Sequence, residues 1–206
     1  MINKEVDFIN TAIFVAGQHL KVMRKAAIIL FVLLLLMSCN NQKKQAKQYY
    51  QKVNELQSMV IDSETKLQNQ MVNVIDMQIN ANQKMYNDTS DIYLQKEVDT
   101  LHSTYDQLIN DIRLAQDSIQ KMEGMKEFPT LSRASKDFFN DYMNVAKNEY
   151  SMLLQLIVLP DSAYTQQKHK AYLNTTKQLN QRLDKTIEEF NEEMKQYSEK
   201  QGVSVD

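Results

Sequence analysis

Apolar residues recur along most of this chain at alternating steps of four and three, the spacing that lines one face of a helix. The pattern is cleanest in Leu94, Val98, Leu101, Tyr105, Leu108, Ile112, Ala115, Ile119 and Met122, where every position is apolar or aromatic. An earlier stripe runs through Tyr49, Val53, Leu56, Val60, Leu67, Met71, Val74, Ala81 and Met85, with Ser63 and Gln78 in its two polar gaps. A third follows Leu131, Ser135, Phe138, Tyr142, Val145, Glu149, Met152, Leu156 and Leu159. The fourth follows Tyr172, Thr176, Leu179, Leu183, Ile187, Phe190, Met194 and Tyr197.

Turn and cap residues separate the stripes. Asp88 or Ser90 caps the second helix, Gly124 and Phe128-Pro129 divide the second from the third, and Thr130 caps the third. Pro160 stops the third helix because it lacks an amide hydrogen and clashes with the preceding turn. Asp161 or Ser162 caps the fourth. The predicted helices are therefore about 45–87, 89–123, 130–159 and 161–199, with 201–206 as a frayed tail. Short connections make sequential helices antiparallel neighbours, so residues 49–200 are expected to form an all-α, elongated up-down-up-down four-helix bundle with coiled-coil-like seams.

A different pattern precedes the bundle. Met23-Arg24-Lys25 leads into about a dozen apolar residues, Ala26 to Met37, which end at Ser38 and the chain's only cysteine, Cys39. The run is short for a membrane-spanning helix, which needs roughly 20 apolar residues. The abrupt change to Asn40-Asn41-Gln42-Lys43-Lys44 argues against a buried helix. Basic flank, apolar run and small residue before cysteine are the parts of an export signal, and Leu36-Met37-Ser38-Cys39 resembles the lipobox of bacterial lipoproteins. The resemblance implies cleavage between Ser38 and Cys39 and acylation of Cys39, palmitate being one such chain. Residues 1–38 are then the signal segment and 39–48 a lipidated tether. Glu5 and Asp7 lie ahead of the basic flank, so translation is expected to start at Met23, with 1–22 outside the protein.

Composition agrees with helix: 3 Gly, 2 Pro and no Trp in 206 residues. Of the 24 basic and 26 acidic residues, four and two precede Cys39, leaving 20 against 24 and a mildly acidic mature chain. Such a chain without a basic stripe makes no nucleic-acid partner, since phosphate binding needs clustered Lys and Arg. With Cys39 acylated no thiol remains for a disulfide or a nucleophile. No serine sits on a Gly-flanked elbow and no Gly-rich loop could cradle phosphate, so no catalytic residues and no cofactor are expected.

A metal in a bundle needs inward ligands on facing helices. Asp99, His102 and Asp106 share one helix flank and form a weak metal candidate, with an exposed histidine between solvated acids as the simpler reading. Glu149 falls on the third seam, where a charge must find a partner or turn to the edge and let Tyr150 and Leu153 replace it. Met152 to Leu159 is apolar nearly all round. Leu154, Ile157 and Val158 are thus a candidate patch for a protein partner or self-association at the end away from the lipid, the alternative being enclosure by the turns and the fourth helix.

From Tyr49 onward the chain also resembles a family of uncharacterised bacterial surface lipoproteins with helical mature parts. The likeness rests on Tyr50-Gln51-Lys52-Val53-Asn54-Glu55-Leu56-Gln57, Phe138-Phe139-Asn140-Asp141-Tyr142, Lys147-Asn148-Glu149-Tyr150 and Asn191-Glu192-Glu193-Met194. It implies an envelope location, the outer membrane being favoured because Asn40 is not an inner-membrane retention aspartate. The expected function is a non-catalytic binding or structural module held to the membrane through its lipid. The alternative is a periplasmic bundle that binds a small ligand or metal.

Overall fold

The structure is a computed structural model that describes residues 42–78, 89–122, 128–159 and 165–203. Ser38, Cys39, the signal segment, Ala81, Met85, Asp88, Gly124, Asp161 and Ser162 lie outside the described residues. The chain divides into two compact units, 1–46 and 47–206, and only 42–46 of the first are described. Among the described residues the fold is all-α: α1 over 42–78, α2 over Thr89–Lys121, α3 over 129–157 and α4 over Gln166–Gln201. No described helix is long and apolar enough to cross a membrane.

The core of the second unit is built from the predicted stripes. Val53, Leu56, Val60, Leu67 and Val74 of α1, Leu101, Leu108, Ile112 and Ile119 of α2, and Leu179, Leu183, Phe190 and Met194 of α4 are all buried. In α3 the stripe holds from Leu131 to Val145 and then changes register. Phe138 is its largest junction, stacked on Phe190 at 4.3 Å between ring centres and edge-on to Phe139 at 5.1 Å. Such offset and edge arrangements bring ring faces and edges of opposite partial charge together.

The helix ends correct three expectations. α3 begins at Pro129, whose fixed φ and missing amide hydrogen suit a first helical position; Thr130 is inside the helix and caps nothing. α4 is capped by Thr165, whose Oγ1 accepts the Lys168 amide at 3.3 Å. Its other end is closed rather than frayed. Gly202 takes the left-handed conformation (φ 60°), and the amides of Gly202 and Val203 bond back to the carbonyls of Glu199 and Ser198. Val203 is consequently buried.

Polar and aromatic pairs fix which parts of the helices meet. Tyr49 lies 5.5 Å from Phe128, and Tyr50 stacks on Tyr197 at 6.4 Å. Farther along α1, Gln57 Nε2 donates to Asn191 at 3.0 Å, and Gln70 Nε2 to the Glu97 carboxylate at 2.6 Å. Near the end of α1, Gln78, one of the two polar gap residues, donates to the Ile157 carbonyl at 2.7 Å. It thereby satisfies one of the carbonyls that the last turn of α3 leaves without a helical partner.

Candidate functional site

The register change in α3 is a five-residue π-turn, Ala146–Tyr150, flanked by α-helix on both sides. The Ser151 amide reaches back to the Ala146 carbonyl five residues earlier, so the turn contains one residue more than an α-turn. In an unbroken α-helix Tyr150 would stand about 80° around the axis from Tyr142; with one residue absorbed the offset shrinks to about 20°. Tyr142 and Tyr150 therefore share a face. Glu149 is carried off the seam, and Leu153 is buried where Met152 was predicted, Met152 being 45% exposed. Leu154 and Ile157 join the predicted Leu156 in the interior, and Leu159 is partly covered.

Facing the two tyrosines is Glu64 of α1, only 6% exposed. Its Oε2 accepts the Tyr142 hydroxyl at 2.9 Å, and its Oε1 accepts the Tyr150 hydroxyl at 2.7 Å. Gln68, one turn on, donates its amide to Glu64 Oε1 at 2.7 Å and to the Tyr150 oxygen at 2.9 Å. Three neutral donors thus replace the water that a carboxylate loses on burial. Burial raises the pKa of both tyrosines, and the neighbouring Glu64 charge and the bonds donated to it raise it further.

The same turn is held from the other two helices. The Tyr105 hydroxyl of α2 donates to the Ala146 carbonyl at 3.2 Å and shares a hydrogen bond with the Ser151 side chain. Burial raises the Tyr105 pKa, which Ser151 partly offsets. From α4, Arg182 Nη1 meets Glu149 Oε1 at 2.9 Å, while the second Glu149 oxygen is buried with no hydrogen-bond partner. Glu149 has thus left the seam and found a cation, with Tyr150 and Leu153 in its place. α1, α2 and α4 each bond to the π-turn or to the residues beside it.

A second buried acid lies between α1 and α2. Asp111 accepts the Ser63 hydroxyl and, at 2.8 Å, the Gln107 amide. It borders an open groove of about 760 Å³ that also includes Asn54, Ser58, Asp62 and Lys66. A larger groove, about 1030 Å³, runs between α3 and α4 above Phe138 and Phe190, with Asp137, Asp141, Glu188 and Glu192 along it.

The structure does not gather the other residues singled out in the sequence. Asp99, His102 and Asp106 are exposed along α2, and the Gln95 amide bonds Asp99 at 2.8 Å. Among the described residues no group of three or more His, Cys, Asp and Glu side chains is placed to hold a metal ion. Leu154 and Ile157 are buried and Val158 is partly covered. The three do not form an open patch here, because the one-residue shift turns this part of α3 into the interior.

Glu64, Gln68 and Asp111 were not singled out from the sequence. The gap between Val60 and Leu67 fits Ser63 and Glu64 equally well by spacing, and both turn out to be buried. That ambiguity, with two tyrosines on one predicted helix, is the available signal. No family model, curated protein or solved structure matches this chain.

Proposed function

We propose that the chain is a lipid-anchored cell-envelope protein whose helices form an up-down-up-down bundle serving as a non-catalytic binding or structural module. One observation carries the anchor: a basic flank, an apolar run and a small residue lead directly into the only cysteine, Cys39. The helix pairings support the bundle. Ser63 with Asp111 and Gln70 with Glu97 run in opposite senses along α1 and α2, as do Phe138 with Phe190 and Glu149 with Arg182 along α3 and α4. Tyr49, Tyr50, Phe128 and Tyr197 bring together the early part of α1, the start of α3 and the end of α4.

The non-catalytic reading is supported by where the buried polar groups are spent. Glu64, Tyr142, Tyr150 and Gln68 satisfy one another, and Asp111 is used by Ser63 and Gln107. Buried polar networks of this kind specify one helix register over others. A stable attachment takes two or more acyl chains, each buried methylene contributing about 0.8 kcal/mol.

Labelling growing cells with radioactive palmitate tests the anchor. The parent should incorporate label and sediment with membranes, and Cys39→Ser should do neither; a labelled, membrane-bound Cys39→Ser protein would refute it. Proteinase K treatment of intact cells then assigns the side. Digestion places the bundle on the cell surface, and protection until the envelope is opened places it in the periplasm.

A further inference from the structure

We infer that the outer face of α4 pairs with the same face of a second copy of this chain, antiparallel and two-fold symmetric about an axis near Asn180.

Five residues of α4 carry the pairing: Leu173, Lys177, Asn180, Asp184 and Ile187. Their steps of four, three, four and three set them on one stripe of the helix. It lies beside the buried stripe of Leu179, Leu183, Thr186 and Phe190, not on it. Leu173 is 53% exposed, Lys177, Asn180 and Asp184 are exposed, and Ile187 is partly covered. Neither Lys177 nor Asp184 forms an ion pair with a described residue, whereas Arg182 and Lys185 of the same helix do. The two charges are two turns apart, beyond the spacings of three and four at which side chains of one helix meet.

The stripe is its own complement when reversed. Laid antiparallel on a second copy, Leu173 meets the partner's Ile187, Lys177 meets the partner's Asp184, and Asn180 meets the partner's Asn180. The other two contacts repeat the first two with the copies exchanged. This is the closed, isologous contact of a two-fold dimer, in which residue i meets j and j meets i. Asn180 on the axis offers both an amide donor and a carbonyl acceptor to its twin. A parallel pairing in register would set lysine on lysine and aspartate on aspartate, which like-charge repulsion disfavours. The charges thus fix partner and orientation, as they do beside coiled-coil seams, while Leu173 and Ile187 close both ends of about 21 Å of helix with apolar contact. The pairing rests on the binding-module reading, for which it names the partner; palmitate labelling at Cys39 and cross-linking at Asn180 fail independently.

Asn180→Cys tests the axis, because only there does a residue meet its own copy within disulfide reach. The full-length protein, purified in detergent, is oxidised with copper phenanthroline and read on non-reducing gels, the parent giving the background from Cys39. Asn180→Cys should be trapped as dimer about ten-fold more than the parent or Gln178→Cys, an exposed position about 200° away around the helix. Adding Lys177→Asp sets acid against acid at both ends and should lower the trapped dimer about ten-fold. Adding Asp184→Lys as well reverses both charges and should restore it. All these positions are exposed, so circular dichroism should match the parent throughout. Asn180→Cys dimer no more abundant than that of the parent or Gln178→Cys, no loss with Lys177→Asp, or no recovery with the double reversal would each overturn the pairing.

Discussion

Tyr150→Phe removes a single oxygen from a side chain that is almost fully enclosed, and leaves the ring and its packing in place. The deleted hydroxyl donates to Glu64 at 2.7 Å and accepts from Gln68 at 2.9 Å. A hydrogen bond to a charged group contributes about 1.5–3 kcal/mol, and here the carboxylate has no water to replace the lost donor. Gln68 and Tyr142 still bond Glu64, so the expected loss is near the middle of that range, about 2 kcal/mol. For a chain of this size that lowers Tm by about 4–8 °C. Urea and thermal unfolding followed by circular dichroism would measure it. A cycle with Tyr142→Phe adds a second check, because two donors to one carboxylate should couple by about 0.5–3 kcal/mol. A Tyr150→Phe protein within about 0.5 kcal/mol of the parent would refute the reasoning, since a desolvated bond to a carboxylate cannot be that weak.

The raised pKa values of Tyr142 and Tyr150 mean that above pH 10 the unfolded chain releases protons the folded one keeps; their stabilisation is complete below pH 10 and declines as pH rises further. Each contributes about 1.4 kcal/mol per pH unit there, so the double Phe variant should show a flatter decline of Tm between pH 10 and higher values. Arg182→Met should destabilise by about 1–2 kcal/mol, discounted because the arginine is partly exposed, by leaving Glu149 half-buried without its cation; denaturant midpoints measure it. Leu154→Glu should lose about 4 kcal/mol or more by burying an unpaired charge, and a variant that melts like the parent would show the residue to be at the surface. Gly202→Ala should cost about 1 kcal/mol, read as a lower Tm, because its φ of 60° is unfavourable for a residue with a Cβ.

The all-α class was legible in the order of residues alone, as were three of the four seams over their described lengths and the third as far as Val145. Those follow from the period of apolar positions, a local property that survives any packing. The order of residues also determined that Glu149 could not sit unpartnered on a seam. Tertiary structure decided how that conflict is resolved. An extra residue in one turn is invisible in the pattern, since Met152 to Leu159 is apolar nearly all round; Glu64, Tyr105 and Arg182, arriving from three other helices, hold the register in which Leu153, Leu154 and Ile157 are buried. Whether Ser63 or Glu64 filled the gap in α1 was likewise open, because a step of three or of four is equally helical. Both are buried because α2 supplies Asp111 for one and α3 supplies two tyrosines for the other, partners 48 to 86 residues away in the chain. Periodicity fixes which face of a helix is apolar, but polar groups can be buried only where distant side chains complete their hydrogen bonds.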